Sequence, residues 1–244
     1  MGRRQEVDQD WSPLDVAANA AGGTVGYDLS PFKDPHEFVF GHCRTIDPLD
    51  GSNPIKPFPD HRYLHELLDV FLQEDTIMVA KSRQMMATWL ACAFADWTAM
   101  GHPGAMVFCV SRKEDDAGFG RDLAILWRCR FIYEHLPESM RIPMKLTLQP
   151  PVLSFPSQYS SIMGLSQDTD AFRSYTATLV LCDEWAFQER ARLAYSAMKP
   201  VLRGSGGKKG KLIGLSSPNG ENNLFAELVH DQSAEALMSG SETA

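Results

Sequence analysis

Two segments decide the fold: Ala80-Lys81-Ser82-Arg83-Gln84-Met85-Met86-Ala87-Thr88-Trp89 and Leu179-Val180-Leu181-Cys182-Asp183-Glu184-Trp185. The first lies between a β-rich run, Thr76 to Ala80, and a helical run, Thr88 to Met100. Strand, loop and helix in that order make a phosphate cradle, because unpaired N–H groups and the helix dipole at a helix N-terminus both favour an anion. The second segment is an apolar strand that ends in two adjacent carboxylates. Asp183 there can hold Mg²⁺ through water, and Glu184 can orient an attacking water. The pair reads as a site for ATP hydrolysis.

The common phosphate-loop pattern, G-x-x-x-x-G-K-[ST], is poorly kept. Aligned on Thr88, its first glycine is Lys81, its second is Met86 and its lysine is Ala87. The chemistry needs backbone N–H groups, one cation near the β- and γ-phosphates and a hydroxyl on the metal. Thr88 supplies the hydroxyl, and Lys81 or Arg83 can supply the cation, since a lysine's long stem lets it enter from the other lip of the loop. Taken alone, Lys-Ser-Arg-Gln also reads as a solvated turn from strand to helix, and Asp183-Glu184 as a helix-capping pair.

Outward from these segments the chain alternates strands and helices. Leu64, Leu67, Leu68 and Phe71 recur at helical spacing between Tyr63 and Leu72. Ala105 to Val110 is a continuous apolar strand, followed by a helix that begins near Lys113 and includes Leu123, Leu126 and Ile132. Lys145 to Leu148, Val152 to Phe155 and Ser160 to Met163 are short strands, expected as an antiparallel excursion at the sheet edge. Leu179 to Cys182 and Leu212 to Leu215 are further apolar strands, with a helix from about Arg190 to Met198 between them. Continuous apolar strands between helices predict an α/β fold whose mostly parallel, doubly wound sheet is covered on both faces. Such sheets bind ligands at the carboxyl ends of their strands, where Lys81, Asp183 and Ser217 all fall.

The loop Lys81 to Trp89 resembles the deviant Walker A of phage large terminases, the ATP-driven motors that package viral DNA, in which the lysine moves to the start of the loop. Three further segments fit that resemblance in order: Lys56-Pro57-Phe58-Pro59 with Tyr63-Leu64, Asp183-Glu184 as Walker B, and Gly214-Leu215-Ser216-Ser217-Pro218-Asn219-Gly220 as the coupling motif. The resemblance spans roughly residues 54 to 230. It implies a P-loop NTPase of the type that carries an additional catalytic glutamate, with ATP and Mg²⁺ as cofactors. Met86 departs from the family's usual glycine.

What the resemblance implies for single residues follows. Lys81, Ser82, Arg83, Gln84, Met85, Met86, Ala87 and Thr88 would cradle the phosphates, with Thr88 and Asp183 on the metal. Glu184 would position the water, and Arg83 would contact phosphate in cis. Arg173 resembles an arginine that reaches a neighbouring subunit's ATP; its other reading is an ordinary loop arginine. Phe58 and Tyr63 are candidates for packing on adenine, with core packing as the alternative. Ser216, Ser217 and Asn219 would sense the γ-phosphate, although the turn chemistry of Ser-Pro-Asn-Gly is sufficient to account for them. The implied partners are double-stranded DNA, a terminase small subunit, a portal protein and further copies in a ring, in the cytoplasm of a bacterial host.

Composition bounds these readings. The chain has 244 residues, 44% of them hydrophobic, which allows one good core and a small appendage. Residues 1–53 read as an arm or partial lid anchored by Trp11, Phe38, Val39 and Phe40, residues 54–231 as the ATPase domain, and residues 232–244 as a frayed tail. A C-terminal nuclease domain is expected to be absent. The cysteines at 43, 92, 109, 129 and 182 have no metal-ligand spacing and read as reduced thiols. No apolar run is long enough to span a bilayer. A net charge of -8 speaks against a protein that simply coats DNA. The basic stretch Lys208, Lys209 and Lys211 is a local exception, which also reads as a solvated turn. Two other functions stay open: a helicase-like ATPase, and a truncated remnant that binds nucleotide without turnover.

Overall fold

The computed structural model describes residues 26–82, 85–120, 122–167, 176–202 and 209–231. Trp11, Arg83, Gln84, Arg173, Lys208 and the tail 232–244 lie outside the described residues.

Nine strands are present among the described residues: β1 (Arg44–Ile46), β2 (Ile55–Pro57), β3 (Thr76–Ala80), β4 (Met106–Ser111), β5 (Lys145–Thr147), β6 (Val152–Phe155), β7 (Ser160–Ser166), β8 (Leu179–Cys182) and β9 (Lys211–Ser216). The helices are α1 (Arg62–Gln73), α2 (Ala87–Gly101), α3 (Glu114–Ala117), α4 (Ile125–Glu134), α5 (Ala191–Val201) and α6 over residues 224–231. Strands β3 to β9 form one seven-stranded sheet in the order β3-β9-β8-β4-β7-β6-β5. The pairs β3/β9, β9/β8, β8/β4 and β4/β7 are parallel, whereas β7/β6 and β6/β5 are antiparallel. The antiparallel excursion is therefore confined to β5 and β6. β7 runs on to Ser166 as a full member of the parallel set, because Gly164 leaves room for the α3 backbone: a Cβ there would meet the Ala117 carbonyl carbon at 3.1 Å.

The central strands are buried on both faces, and their period of two divides them between two cores. Val107 and Cys109 of β4, Leu179 and Leu181 of β8, and Ile213 and Leu215 of β9 face α1, α2 and α4. Phe108 and Val110, Val180 and Cys182, and Leu212 face Trp185, α5 and α6. This division explains why the strands read as unbroken apolar runs rather than as alternating ones.

Helix α2 is buried almost all round, from Ala87 to Gly101. Its small residues let it lie close to the sheet and to α4, where Trp89 meets Phe131 edge on at 5.6 Å. It stops at His102, ahead of Pro103, and Gly101 leaves space for the ring of Phe32. The helix expected from Lys113 to Ile132 is instead two pieces, α3 and α4. Gly118 ends α3 against Pro151, and Leu123 takes the left-handed conformation with φ 64°. Local backbone demands here override an apolar pattern that still looks helical.

The described part of the N-terminal region packs into the same core as α2. Phe38 and Val39 are fully buried, and β1 pairs antiparallel with β2. A histidine pair fastens this segment to α1: His36 Nδ1 and His65 Nδ1 lie 3.0 Å apart, with His36 Nε2 on Asp69 and His65 Nε2 on Asp60. No helix among the described residues is long and apolar enough to cross a membrane.

Candidate functional site

The carboxyl ends of β3, β8 and β9 meet at one rim of the sheet. Lys81 continues the ladder beyond β3, its N–H donating to the Ser216 carbonyl at 2.9 Å, and Asp183 N–H donates to the Val110 carbonyl at 3.1 Å. Backbone pairing thus holds both residues where their strands run out. Lys81 Nζ donates to Glu184 Oε1 at 3.1 Å and lies 3.7 Å from Asp183 Oδ1. Thr88 Oγ1, in the first turn of α2, donates to Asp183 Oδ1 at 3.2 Å. Ser217 Oγ donates to Glu184 Oε2 at 3.1 Å. Five of the residues singled out by the sequence, Lys81, Thr88, Asp183, Glu184 and Ser217, are therefore joined in one cluster, across separations of up to 103 positions.

The backbone at both decisive turns is left-handed. Glu184 has φ 49° and Met86 has φ 56°, a conformation that costs a residue with a side chain roughly 1–2 kcal/mol. At Glu184 the turn lifts the carboxylate out of the sheet while Trp185 behind it is driven fully into the core. Met86 stands just before α2, and the first hydrogen bond of that helix runs from Leu90 N–H to the Met86 carbonyl at 2.9 Å.

The segment after β9 is stitched to the segment after β8. Ala186 N–H donates to Ser216 Oγ at 3.1 Å, and Asn219 Nδ2 donates to the Ala186 carbonyl at 3.1 Å. Gln188 Nε2 donates back to the Asp183 carbonyl at 3.1 Å. A displacement of the Ser216–Asn219 turn is thereby tied to the position of Glu184.

Burial raises the Asp183 carboxyl above the ordinary carboxylate range, against the pull of the Lys81 ammonium and with the aid of its neighbour Glu184. At Glu184 burial acts in the same direction but is outweighed by Lys81 and the Ser217 hydroxyl, which hold this carboxyl below its usual value. The two adjacent acids are thus pushed apart, with Glu184 the one kept ionised.

A cavity of about 670 Å³ opens over this rim. Its wall includes Lys81, Ser82, Met85, Met86, Ala87, Thr88, Asp183 and Glu184, together with residues the sequence reading did not propose for the site: Thr45 to Leu49 at the end of β1 and in the turn after it, Ser111, Leu123 and Arg128. Arg128 had left a signal, since it follows Ile125 at helical spacing and is a cation on an otherwise buried stripe. Phe58 is buried against Phe40 and is not part of the wall; from its segment Lys56 and Pro59 reach the cavity instead. Tyr63 is also outside the wall, half-exposed, with its hydroxyl donating to the Met85 carbonyl at 3.3 Å.

Thr88 Oγ1 and Asp183 Oδ1 fit Mg²⁺ as hard oxygen donors. Among the described residues no group of three or more acidic, histidine or cysteine side chains forms a closed metal cage. An open site of one carboxylate and one hydroxyl, completed by substrate phosphates and water, is what this ion favours.

The mostly parallel seven-stranded sheet, flanked by helices, is an α/β fold that matches those of phage large terminases. Among solved structures, that of the HK97 bacteriophage large terminase matches with a TM-score of 0.64 at 12% identity, covering 84% of this chain and 42% of that one. The Thermus phage P74-26 large terminase ATPase domain matches at 0.54 and 19% identity, covering 70% of this chain and 69% of that one. The large terminase of the thermophilic bacteriophage D6E, solved in complex with ADP, matches at 0.52 and 14% identity, with coverages of 71% and 43%. The chain thus spans about two fifths of the HK97 and D6E proteins. No family model matches the sequence, and no curated protein does.

Proposed function

We propose that this chain is the ATP-hydrolysing module of a phage DNA-packaging motor, a large-terminase ATPase domain. The observation that carries this reading is the cluster of Lys81, Thr88, Asp183, Glu184 and Ser217 at the rim of a sheet whose fold matches those of phage large terminases. The deviant Walker A is then Lys81 to Thr88, and the coupling motif is Ser216 to Asn219.

Lys81 is paired with Glu184. Entry of ATP offers Lys81 a polyphosphate, and its transfer to the β- and γ-oxygens releases Glu184 to accept a hydrogen bond from the attacking water. Because Glu184 stays ionised, it orients that water for in-line attack on the γ-phosphorus. Thr88 and Asp183 would hold Mg²⁺, which when bound would supply positive charge to the phosphates. Ser217, which donates to Glu184, changes partner when Glu184 engages water, and the turn to Asn219 carries that change away from the site. Translocation of double-stranded DNA, a ring of copies, contacts to a small subunit and a portal, Arg83 acting in cis and Arg173 acting in trans all belong to this proposal, as does a location in the host cytoplasm.

Steady-state hydrolysis of ATP, with and without duplex DNA, tests it. Glu184→Gln and Lys81→Ala are each expected to lower turnover by roughly 10²–10³-fold, the scale of losing one group that acts on the transition state. Nucleotide binding with no turnover at any protein concentration would overturn it. That result would favour a binding-only remnant, for which the resting Lys81–Glu184 pair is the one structural argument.

A further inference from the structure

Three cations among the described residues line the cavity: Lys56, Lys81 and Arg128. Lys56 Nζ is paired with Asp50 Oδ2 at 2.5 Å, and Lys81 with Glu184. Arg128 has no ion pair among the described residues, and its Nε is buried with no hydrogen-bond acceptor. Its guanidinium instead rests over the ring of Trp89, 5.5 Å from the centroid, and its charge also acts on Asp183, as a lesser pull that burial outweighs. A buried N–H donor without an acceptor costs roughly 1–3 kcal/mol, and a guanidinium is a planar fork matched to phosphate oxygens.

Location sharpens the assignment. Trp89 directly follows Thr88, so an arginine seated on Trp89 stands beside the start of α2, in the same cavity wall as Lys81. A triphosphate carries more negative charge than one lysine can balance, and Lys81 is shared with Asp183 and Glu184. On the α4 side of the cavity, Arg128 is the cation that the described residues supply. We propose that Arg128 is a further phosphate-binding residue supplied in cis, which leaves the face of Trp89 to bind the polyphosphate of the nucleotide. This rests on the ATPase reading given above. It also makes Trp89 a built-in reporter, because withdrawal of a cation from an indole face changes its emission.

The test measures binding of ATP, adenosine and inorganic tripolyphosphate to the full chain, its Arg128→Gln and Arg128→Lys variants and Trp89→Phe. Arg128→Gln is expected to weaken ATP and tripolyphosphate at least tenfold and to leave adenosine unchanged. Arg128→Lys restores part of the loss, which a purely structural role would not produce, and thermal melting without ligand identifies any variant that fails to fold. The emission change on adding tripolyphosphate is expected in the parent chain and lost in Trp89→Phe. Equal affinity of parent and Arg128→Gln for ATP overturns the assignment and leaves the ATPase reading standing. Binding of tripolyphosphate but not ATP, still dependent on Arg128, keeps the anion site and overturns the ATPase reading. A parent chain that binds neither overturns both.

Discussion

Asp96 sits in the middle of α2 with neither carboxylate oxygen hydrogen-bonded and no exposure to solvent. Burial pushes its carboxyl well above the ordinary value. The sign of the linkage follows: the folded state holds a proton that the unfolded chain releases above about pH 4, so stability falls as pH rises from there toward the folded value. Asp96→Leu is therefore expected to stabilise the fold by about 1–3 kcal/mol at pH 7, the scale of relieving an unpaired buried polar group, with the gain shrinking toward pH 4. Urea unfolding at the two pH values checks it, and a loss of stability at pH 7 would contradict it. Glu184 has the opposite sign: its lowered carboxyl contributes stability above the usual carboxylate range that is lost as pH falls through the folded value.

Met86 also belongs to this scale. Its left-handed φ is tolerable for an unbranched side chain and poor for a β-branched one. Met86→Gly is expected to retain ATP affinity, whereas Met86→Val costs about 1–2 kcal/mol of binding or stability, as isothermal titration and melting would show together. The residues of the site were legible one at a time, Lys81, Thr88, Asp183, Glu184 and Ser217 among them, because each is a chemically distinctive group placed just past an apolar strand or at the start of a helix. Arg128 was not, because a cation within an amphipathic helix carries no mark of which cavity it borders until that helix is docked.

At the scale of elements, strand positions were readable and their relations were not. Val152–Phe155 and Leu179–Cys182 stand as the apolar runs predict, while the 113–132 region breaks at Gly118 and Leu123. Periodicity records which residues want burial; it does not record a left-handed turn in a leucine. The contact between β9 and the Glu184 turn makes a prediction here. A Cβ at Gly214 would meet Trp185 Cε3 at 2.5 Å and Met78 Sδ at 2.7 Å. Gly214→Ala must displace Trp185, which directly follows Glu184. It is expected to cost about 1–3 kcal/mol in stability and to lower hydrolysis further than that loss explains, measured as turnover per folded molecule.

At the scale of the molecule, the described N-terminal segment shares its core with the sheet and α2. Phe38→Ala is expected to cost about 3–5 kcal/mol, as for other buried aromatic truncations, and to lower the midpoint of a single cooperative transition. A separate early transition for residues 26–57, seen by hydrogen exchange, would show that this segment folds independently. The fully buried phenylalanine and the His36–His65 pair argue for the single transition.

The sequence by itself determined the class of fold and the chemistry of the rim. Continuous apolar strands between helices admit a sheet covered on both faces and little else, and polar groups just past strand ends must fall on one edge of it. Only the tertiary structure decided the order of the strands, the membership of β7 in the parallel set, the resting pair between Lys81 and Glu184, and the place of Arg128 in the cavity wall. These are contacts between residues far apart in the chain, set by which surfaces pack together, and no local pattern of residues encodes them.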